Sequence, residues 1–306
     1  MSPGLLHALT RAPIGDARRE HAARRYRPTK RDFHDMPALE YTLNSNNTEH
    51  RRLRTQAANL RAHTKTLLDA TDLKPASSAI DLGCGPGGAL DLLAERIGAD
   101  GKVIGVDFDA ASVAGARAFA DERELINVEV IQADARNTEL PSSSFDVVHA
   151  RLLLANIPRP DEVVTEMARL VRPGGWVAVL EPDVALRACY PPHPGLEQLT
   201  ELLVTVARRG GADPCIGRRL PHLFATAGLI NIGIQARADV CPPRHAQRVV
   251  CLDLVQNIGH RIVAQGPIDQ RELDRLDRDA RRHLDDQDTI VVPVTYFLAW
   301  ARKPRR

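Results

Sequence analysis

The chain has 306 residues, 43% hydrophobic and 26% charged, with 41 basic and 39 acidic side chains and a formal net charge of +2. That suffices for a large core in one elaborated α/β domain, and the near balance of charge excludes a global field for nucleic acid or anionic membrane. No run approaches the roughly 20 apolar residues of a membrane helix, and five scattered cysteines (84, 189, 215, 241, 251) without CxxC spacing indicate reduced thiols and a cytoplasmic setting, with neither a zinc site nor a disulfide framework.

Residues 1–35 are basic and poorly periodic and read as an N-terminal arm; the apolar patch there is too short for a signal-peptide core. Residues 36–74 read as a helical cap segment, because "LRTQAANLRAHTKTLL" (53–68) repeats apolar positions at helical spacing. Strand and helix then alternate. "SAIDLG" is a strand and "GALDLLAERIG" a helix closed by Gly98. "KVIGVDF" is a strand, and Asp109 caps the helix "AASVAGARAFADEREL". "VEVIQAD" and "FDVVHARLLL" are strands three and four. "RPDEVVTEMARLVRPGG" is a helix with a Pro-Gly-Gly stop, and "WVAVLEPD" is strand five.

Near-continuous apolar strands alternating with helices indicate a parallel sheet covered on both faces. Beyond Asp183 the rhythm slows. "PGLEQLTELLVTVARRGG" and "RRLPHLFATAGL" are helices, "INIGIQARADV" is a strand, and two further helical patterns (244–265 and 269–286) precede a closing strand "TIVVPVTYFLAWARK". The expected fold is doubly wound: a mostly parallel seven-stranded sheet with a helical cap. Residues 75–183 form its nucleotide-binding core, and 184–306 supply the rest of the sheet with inserted helices over the substrate cleft.

Glycines 83, 85, 87 and 88 follow the first strand and open a helix. Such a turn gives close backbone approach and a helix N-terminus for an anionic group, and serves NAD, another nucleotide or a purely structural role. Asp107, ending strand two, suits any ribose diol and does not discriminate among them. Across roughly residues 39–183 the sequence resembles the class I S-adenosylmethionine-dependent methyltransferases, through "IDLGCGPGG", "VIGVDFD", "VIQADA", "FDVVHARLLLANIPRP" and "LVRPGGWVAVLEPD" in order. The stretch "YTLNSNNTEHRRLRTQAANL" resembles the cap entrance of small-molecule members, with Asn44 where those often carry glycine.

The resemblance implies S-adenosylmethionine as cofactor and S-adenosylhomocysteine as product. It places Asp81 near the cofactor ammonium and the backbone of Gly83, Cys84 and Gly85 against its methionyl and ribose parts. Asp107 takes the ribose diol and Phe108 lies on the adenine. Asp134 accepts from the adenine amino group, with Ala133 and Ala135 leaving room for the ring. Ala150 and Arg151 lie beside the methionyl chain, and Tyr41 and Gln56 close over it or pack locally.

Two groups beyond the cofactor set are candidates for catalysis. His149, on the face of strand four that Arg151 shares, reads as a general base or as a packed histidine. Glu181 and Asp183 read as groups that steer an amine, orient a hydroxyl or simply cap; no metal site is expected, with Arg151 at the strand-four mouth. The acceptor is expected to be a small organic molecule, a specialised metabolite methylated at oxygen or nitrogen, with a ring carbon as the alternative. Methylation of nucleic acid or protein, and a non-catalytic cofactor-binding scaffold, are the competing classes. No separate basic–aromatic surface supports a nucleic-acid partner. The apolar cap helices fit either a pocket or a homo-oligomer interface.

Overall fold

A computed structural model describes residues 47–305, so the expected N-terminal arm and Tyr41 lie outside the described residues. Two helices come first, α1 (Asn47–Asn59) and α2 (Arg61–Asp69), where the periodicity suggested one; the break falls at Leu60, whose ψ of 2° leaves the helical range. The alternating region follows as β1 (Ser78–Leu82), α3 (Leu90–Ile97), β2 (Lys102–Asp107), α4 (Ala110–Glu122), β3 (Val128–Gln132), β4 (Phe145–Arg151), α5 (Pro160–Leu170) and β5 (Val171–Asp183). Asp109 caps α4 through Ser112 N–H at 2.7 Å.

The remainder is β6 (Ala188–Tyr190), α6 (Pro194–Arg209), α7 (Leu220–Thr226), β7 (Ile230–Ala238), α8 (Val250–Asn257), α9 (Gly259–Gln265), α10 (Gln270–Asp285), β8 (Ile290–Val292) and β9 (Thr295–Arg302). The seven-stranded sheet has the order β3-β2-β1-β4-β5-β9-β7, with β9 antiparallel to both neighbours. Its parallel strands bury both faces, which is why they read as continuous apolar runs. One core cluster packs α2, α3 and the cap helices on the first face, through Leu67, Leu93 and Leu199. The other packs α5 and α7 on the second, through Val163, Met167 and Phe224.

The closing stretch forms two strands instead of the expected one. Pro293, which has no N–H for a ladder, separates β8 from β9, and β8 turns away to pair with β6 in a separate two-stranded ribbon. Likewise the pattern at 244–265 breaks at Ile258 into α8 and α9.

One cation ties the chain before α8 to the end of α10. Arg248, 3% exposed, donates to the carbonyls of Leu284 (2.6 Å), Cys241 (3.2 Å), Asp286 (3.0 Å) and Thr289 (2.7 Å), two of them at the C-terminal end of α10 where carbonyls lack helical partners. Arg248→Met strands these acceptors and is expected to destabilise the protein by about 3 kcal/mol or more. Denaturant unfolding checks this; an unchanged midpoint refutes it.

Candidate active site

The turn after β1 carries four glycines with positive φ, at 67° (Gly83), 52° (Gly85), 141° (Gly87) and 42° (Gly88). At Gly88 the requirement is steric as well, because an added Cβ would lie 2.5 Å from both Asp81 Oδ2 and the Cys84 carbonyl. Above Gly85, by contrast, an added Cβ meets nothing within 4 Å among the described residues, so the loop presents bare backbone there. Cys84 is buried and its amide bonds Val106 O at 2.9 Å, tying the loop to β2. Gly88→Ala is expected to cost about 3 kcal/mol of stability or more and to displace Asp81, read by denaturant unfolding; full stability would remove the steric argument.

Asp81 lies beneath this turn. Oδ2 accepts from Ala89 N–H at 3.0 Å at the start of α3, and Oδ1 stands 2.6 Å from His149 Nδ1. β1 and β4 place Asp81 and His149 directly opposite each other in register, so their side chains meet on one face. This corrects the expectation of His149 as a base at the strand mouth. The ring is wholly buried, Nδ1 is committed to Asp81, and Nε2 has no hydrogen-bond partner among the described residues.

Asp107 ends β2 with both oxygens on backbone: Oδ2 accepts from Gly85 N–H (2.8 Å) and Oδ1 from Asp109 N–H (3.0 Å). Burial raises its pKa against these two bonds. The next side chain, Phe108, is 74% exposed. Ala133 N–H bonds Asp107 O at 3.0 Å, bringing the loop after β3 alongside, with Ala135 buried. Asp134 is engaged by its neighbour: Arg136 donates Nε to both oxygens at 3.0 Å and Nη2 to Oδ2 at 2.5 Å. That bond chiefly holds the Asp134 carboxyl below its usual range. Sequence reading missed Arg136 in this role, although a cation two residues past an acid in a turn is a readable signal.

At the end of β4, Ala150 is buried and Arg151 reaches back across the turn. Nη2 donates to Gly88 O at 2.7 Å and Nη1 to Thr64 Oγ1 at 3.1 Å, so this arginine clamps α2 onto the glycine loop. Nothing in the sequence pattern marked Thr64. Gln56 is half-buried on α1, and that helix also packs near the turn, with His50 and Pro86 both against Gly115 of α4.

Glu181 is the second correction. It is fully buried, accepting at Oε1 from Leu153 N–H (2.9 Å) and Leu154 N–H (2.7 Å), and at Oε2 from Ala155 N–H (3.1 Å). Both oxygens hold the turn after β4 instead of facing an acceptor, and burial pushes the pKa up to about 8. Asp183, also fully buried, accepts from Ala185 N–H at 3.1 Å and forms a bidentate pair with Arg218, so it caps a turn and anchors a neighbour. Among the described residues, no group of three or more His, Cys, Asp or Glu could hold a metal ion, and no helix is long and apolar enough to cross a membrane.

Residues 73–209 match the family model described as a methyltransferase domain. An uncharacterized 37.1 kDa protein in transposon TN4556 of Streptomyces fradiae is 33% identical over 55% of this chain and 48% of its own length. Nocamycin O-methyltransferase of Saccharothrix syringae is 38% identical over 39% of this chain and 42% of its own, and demethylmenaquinone methyltransferase of Bacillus mycoides is 36% identical over 40% and 51%. The chain thus spans about half the length of these curated relatives. In fold it is similar to the YcgJ protein from Bacillus subtilis (TM-score 0.54, 16% identity, covering 80% of this chain and 100% of that one). It is also similar to the [4+2]-cyclase SpnF (TM-score 0.53, 19% identity, covering 80% and 82%).

Proposed function

We propose, from the match of residues 73–209 to a methyltransferase-domain family, that this chain is a class I methyltransferase and moves a methyl group from S-adenosylmethionine to a small organic acceptor at oxygen or nitrogen. The observation that carries the reading is the pairing of Asp107 with the glycine turn. The carboxylate fixes Gly85 N–H and Asp109 N–H, open space lies above Gly85 among the described residues, and Phe108, next in the chain to Asp107, is exposed. A ribose diol, a methionyl chain and an adenine have the polar partner, the bare backbone and the apolar face they need.

When bound, the sulfonium supplies a methyl carbon already activated for in-line displacement. The protein's own part is alignment and exclusion of water. Asp107 is assigned to the ribose; Phe108, Ala133, Ala135 and Asp134 to the adenine; Gly83, Cys84, Gly85, Ala150 and Arg151 to the methionyl and ribose backbone. Gln56 approaches from the cap. Asp81 and His149 act together as a positioning pair beneath the turn. Asp134 must share its oxygens with Arg136, so adenine recognition there goes through an acid already turned by its neighbour.

Two relatives, nocamycin O-methyltransferase and demethylmenaquinone methyltransferase, bear the names of small-molecule methyltransferases, which supports a small acceptor. Methyl-labelled S-adenosylmethionine, incubated with the purified protein and extract from its source and then separated by size, tests this. Label in the small-molecule fraction supports the reading, and mass spectrometry then separates oxygen, nitrogen and ring-carbon products. Label in RNA or protein overturns the acceptor class, and no transfer overturns the activity.

A further inference from the structure

At the carboxyl edge of the sheet, three polar side chains from three parts of the chain meet outside the cofactor set. His63 lies on the side of α2 that faces β9, one residue before Thr64. Its Nε2 stands 2.9 Å from Oδ2 of Asp239, just beyond β7, and its ring is 6.0 Å from that of Tyr296 at a tilt of 51°. Tyr296 lies near the start of β9 and pairs in register with Pro182 of β5. Because β9 is antiparallel, its start lies at the same edge as the carboxyl ends of β1, β4 and β5, where ligands bind in such sheets.

Tyr296 is 9% exposed, and burial raises the pKa of its hydroxyl, which therefore keeps its proton. Neither that hydroxyl nor His63 Nδ1 has a hydrogen-bond partner among the described residues. Two apolar side chains flanking these elements in the chain are exposed: Val240, following Asp239, at 63%, and Leu186, whose carbonyl accepts from Thr295 Oγ1 at 2.6 Å, at 45%.

We propose that His63, Asp239 and Tyr296 form the acceptor subsite and receive a hydroxyl group carried on an apolar body. This rests on the methyltransferase reading above. The negative charge of Asp239, 2.9 Å from Nε2, favours the His63 proton on that nitrogen and a lone pair at Nδ1, and the Tyr296 O–H donates to the acceptor oxygen. In the transfer, the acceptor's O–H proton passes to His63 Nδ1 and an oxygen lone pair bonds to the methyl carbon. The carbon–sulfur bond breaks with its electrons on sulfur, giving a neutral thioether, and His63 then releases its proton to water.

An amine acceptor fits less well. The two acids the sequence offered for steering it, Glu181 and Asp183, are bound to backbone amides and to Arg218. The subsite also has a fixed relation to the glycine loop, since Thr64, next to His63 on α2, is held by the same Arg151 that bonds Gly88.

The test uses 4-fluorophenol, a minimal hydroxyl on an apolar ring, with the full chain and excess S-adenosylhomocysteine. Fluorine NMR reads probe binding, and nitrogen-detected NMR reads the His63 ring, assigned by its loss in His63→Gln. The expected result is binding that moves the His63 signal and weakens about tenfold in Tyr296→Phe, while Asp239→Asn shifts the His63 tautomer. Calorimetry should give all three variants the wild-type affinity for S-adenosylhomocysteine. Failure of the probe to bind, equal binding by the variants, or an unmoved His63 signal overturns the subsite while the cofactor reading stands. Failure of wild type to bind S-adenosylhomocysteine overturns both.

Discussion

Replacing Asp107 by alanine is expected to weaken S-adenosylmethionine binding by two orders of magnitude or more. On the proposed reading the carboxylate takes two ribose hydroxyls, and hydrogen bonds to a charged acceptor contribute about 1.5–3 kcal/mol each. Loss of both corresponds to about 3–6 kcal/mol, or roughly a hundredfold to ten-thousandfold in affinity. The geometry adds a second loss in the same direction. Each oxygen already accepts one backbone N–H, from Gly85 and from Asp109, so alanine also frees the glycine turn and the start of α4.

Asp107→Asn should fall between the two, since its one carbonyl oxygen keeps an acceptor while its amide faces an N–H donor. A pH trend follows from the raised pKa of Asp107, which burial causes. Only the ionised form offers both oxygens as acceptors. Affinity should therefore fall with pH sooner than an ordinary aspartate would dictate, as pH drops through the elevated value. Calorimetry on the three proteins checks both statements, and an Asp107→Ala protein with wild-type affinity removes the ribose assignment.

Much of the frame was legible because it depends on local pattern. Continuous apolar runs such as "SAIDLG" and "KVIGVDF" can be buried on both faces only in a covered parallel sheet, and the glycine turn needs φ values that other residues resist. Asp109 as a helix cap is equally local. What the pattern could not show is which way a polar side chain turns when long-range partners compete for it. Glu181 and Asp183 lie at the end of one strand and read alike. One found three amides of the turn after β4, and the other found Arg218, 35 positions along the chain. His149 looked available until β1 brought Asp81 opposite it, across a separation of 68 residues. The subsite at His63 was silent for the same reason: α2, the end of β7 and the start of β9 are neighbours only through the sheet order. Pro293 was readable as a strand breaker, yet the pairing of β8 with β6 depends on a partner about 100 residues earlier.

Glu181→Ala should be the most destabilising of the substitutions considered, at about 3–6 kcal/mol. Three amide donors lose their acceptor in a fully buried place, and each buried donor left unsatisfied costs about 1–3 kcal/mol, less whatever water or turn relaxation recovers. Loss of cofactor affinity should accompany it. The turn that Glu181 holds includes Leu153, whose Cδ1 lies 2.7 Å from where a Gly83 Cβ would be and so forms part of the wall of the glycine loop.

The pH dependence separates this carboxyl from an ordinary one. Burial raises its pKa to about 8 in the folded protein, from the ordinary glutamate value of 4.5. Folding therefore favours the protonated form. The stability this confers is fully present below the unfolded value and is lost as pH rises through the folded one, by at most about 1.4 kcal/mol per pH unit. Glu181→Gln has no proton to lose, and its amide faces the Ala155 N–H donor, so it should be less stable than wild type near the unfolded pKa. As pH rises toward 8, wild type gives up its advantage and the two unfolding midpoints converge. A gap of constant size from mildly acidic to mildly basic pH would mean that the three backbone amides keep Glu181 ionised throughout, with burial too weak to hold its proton.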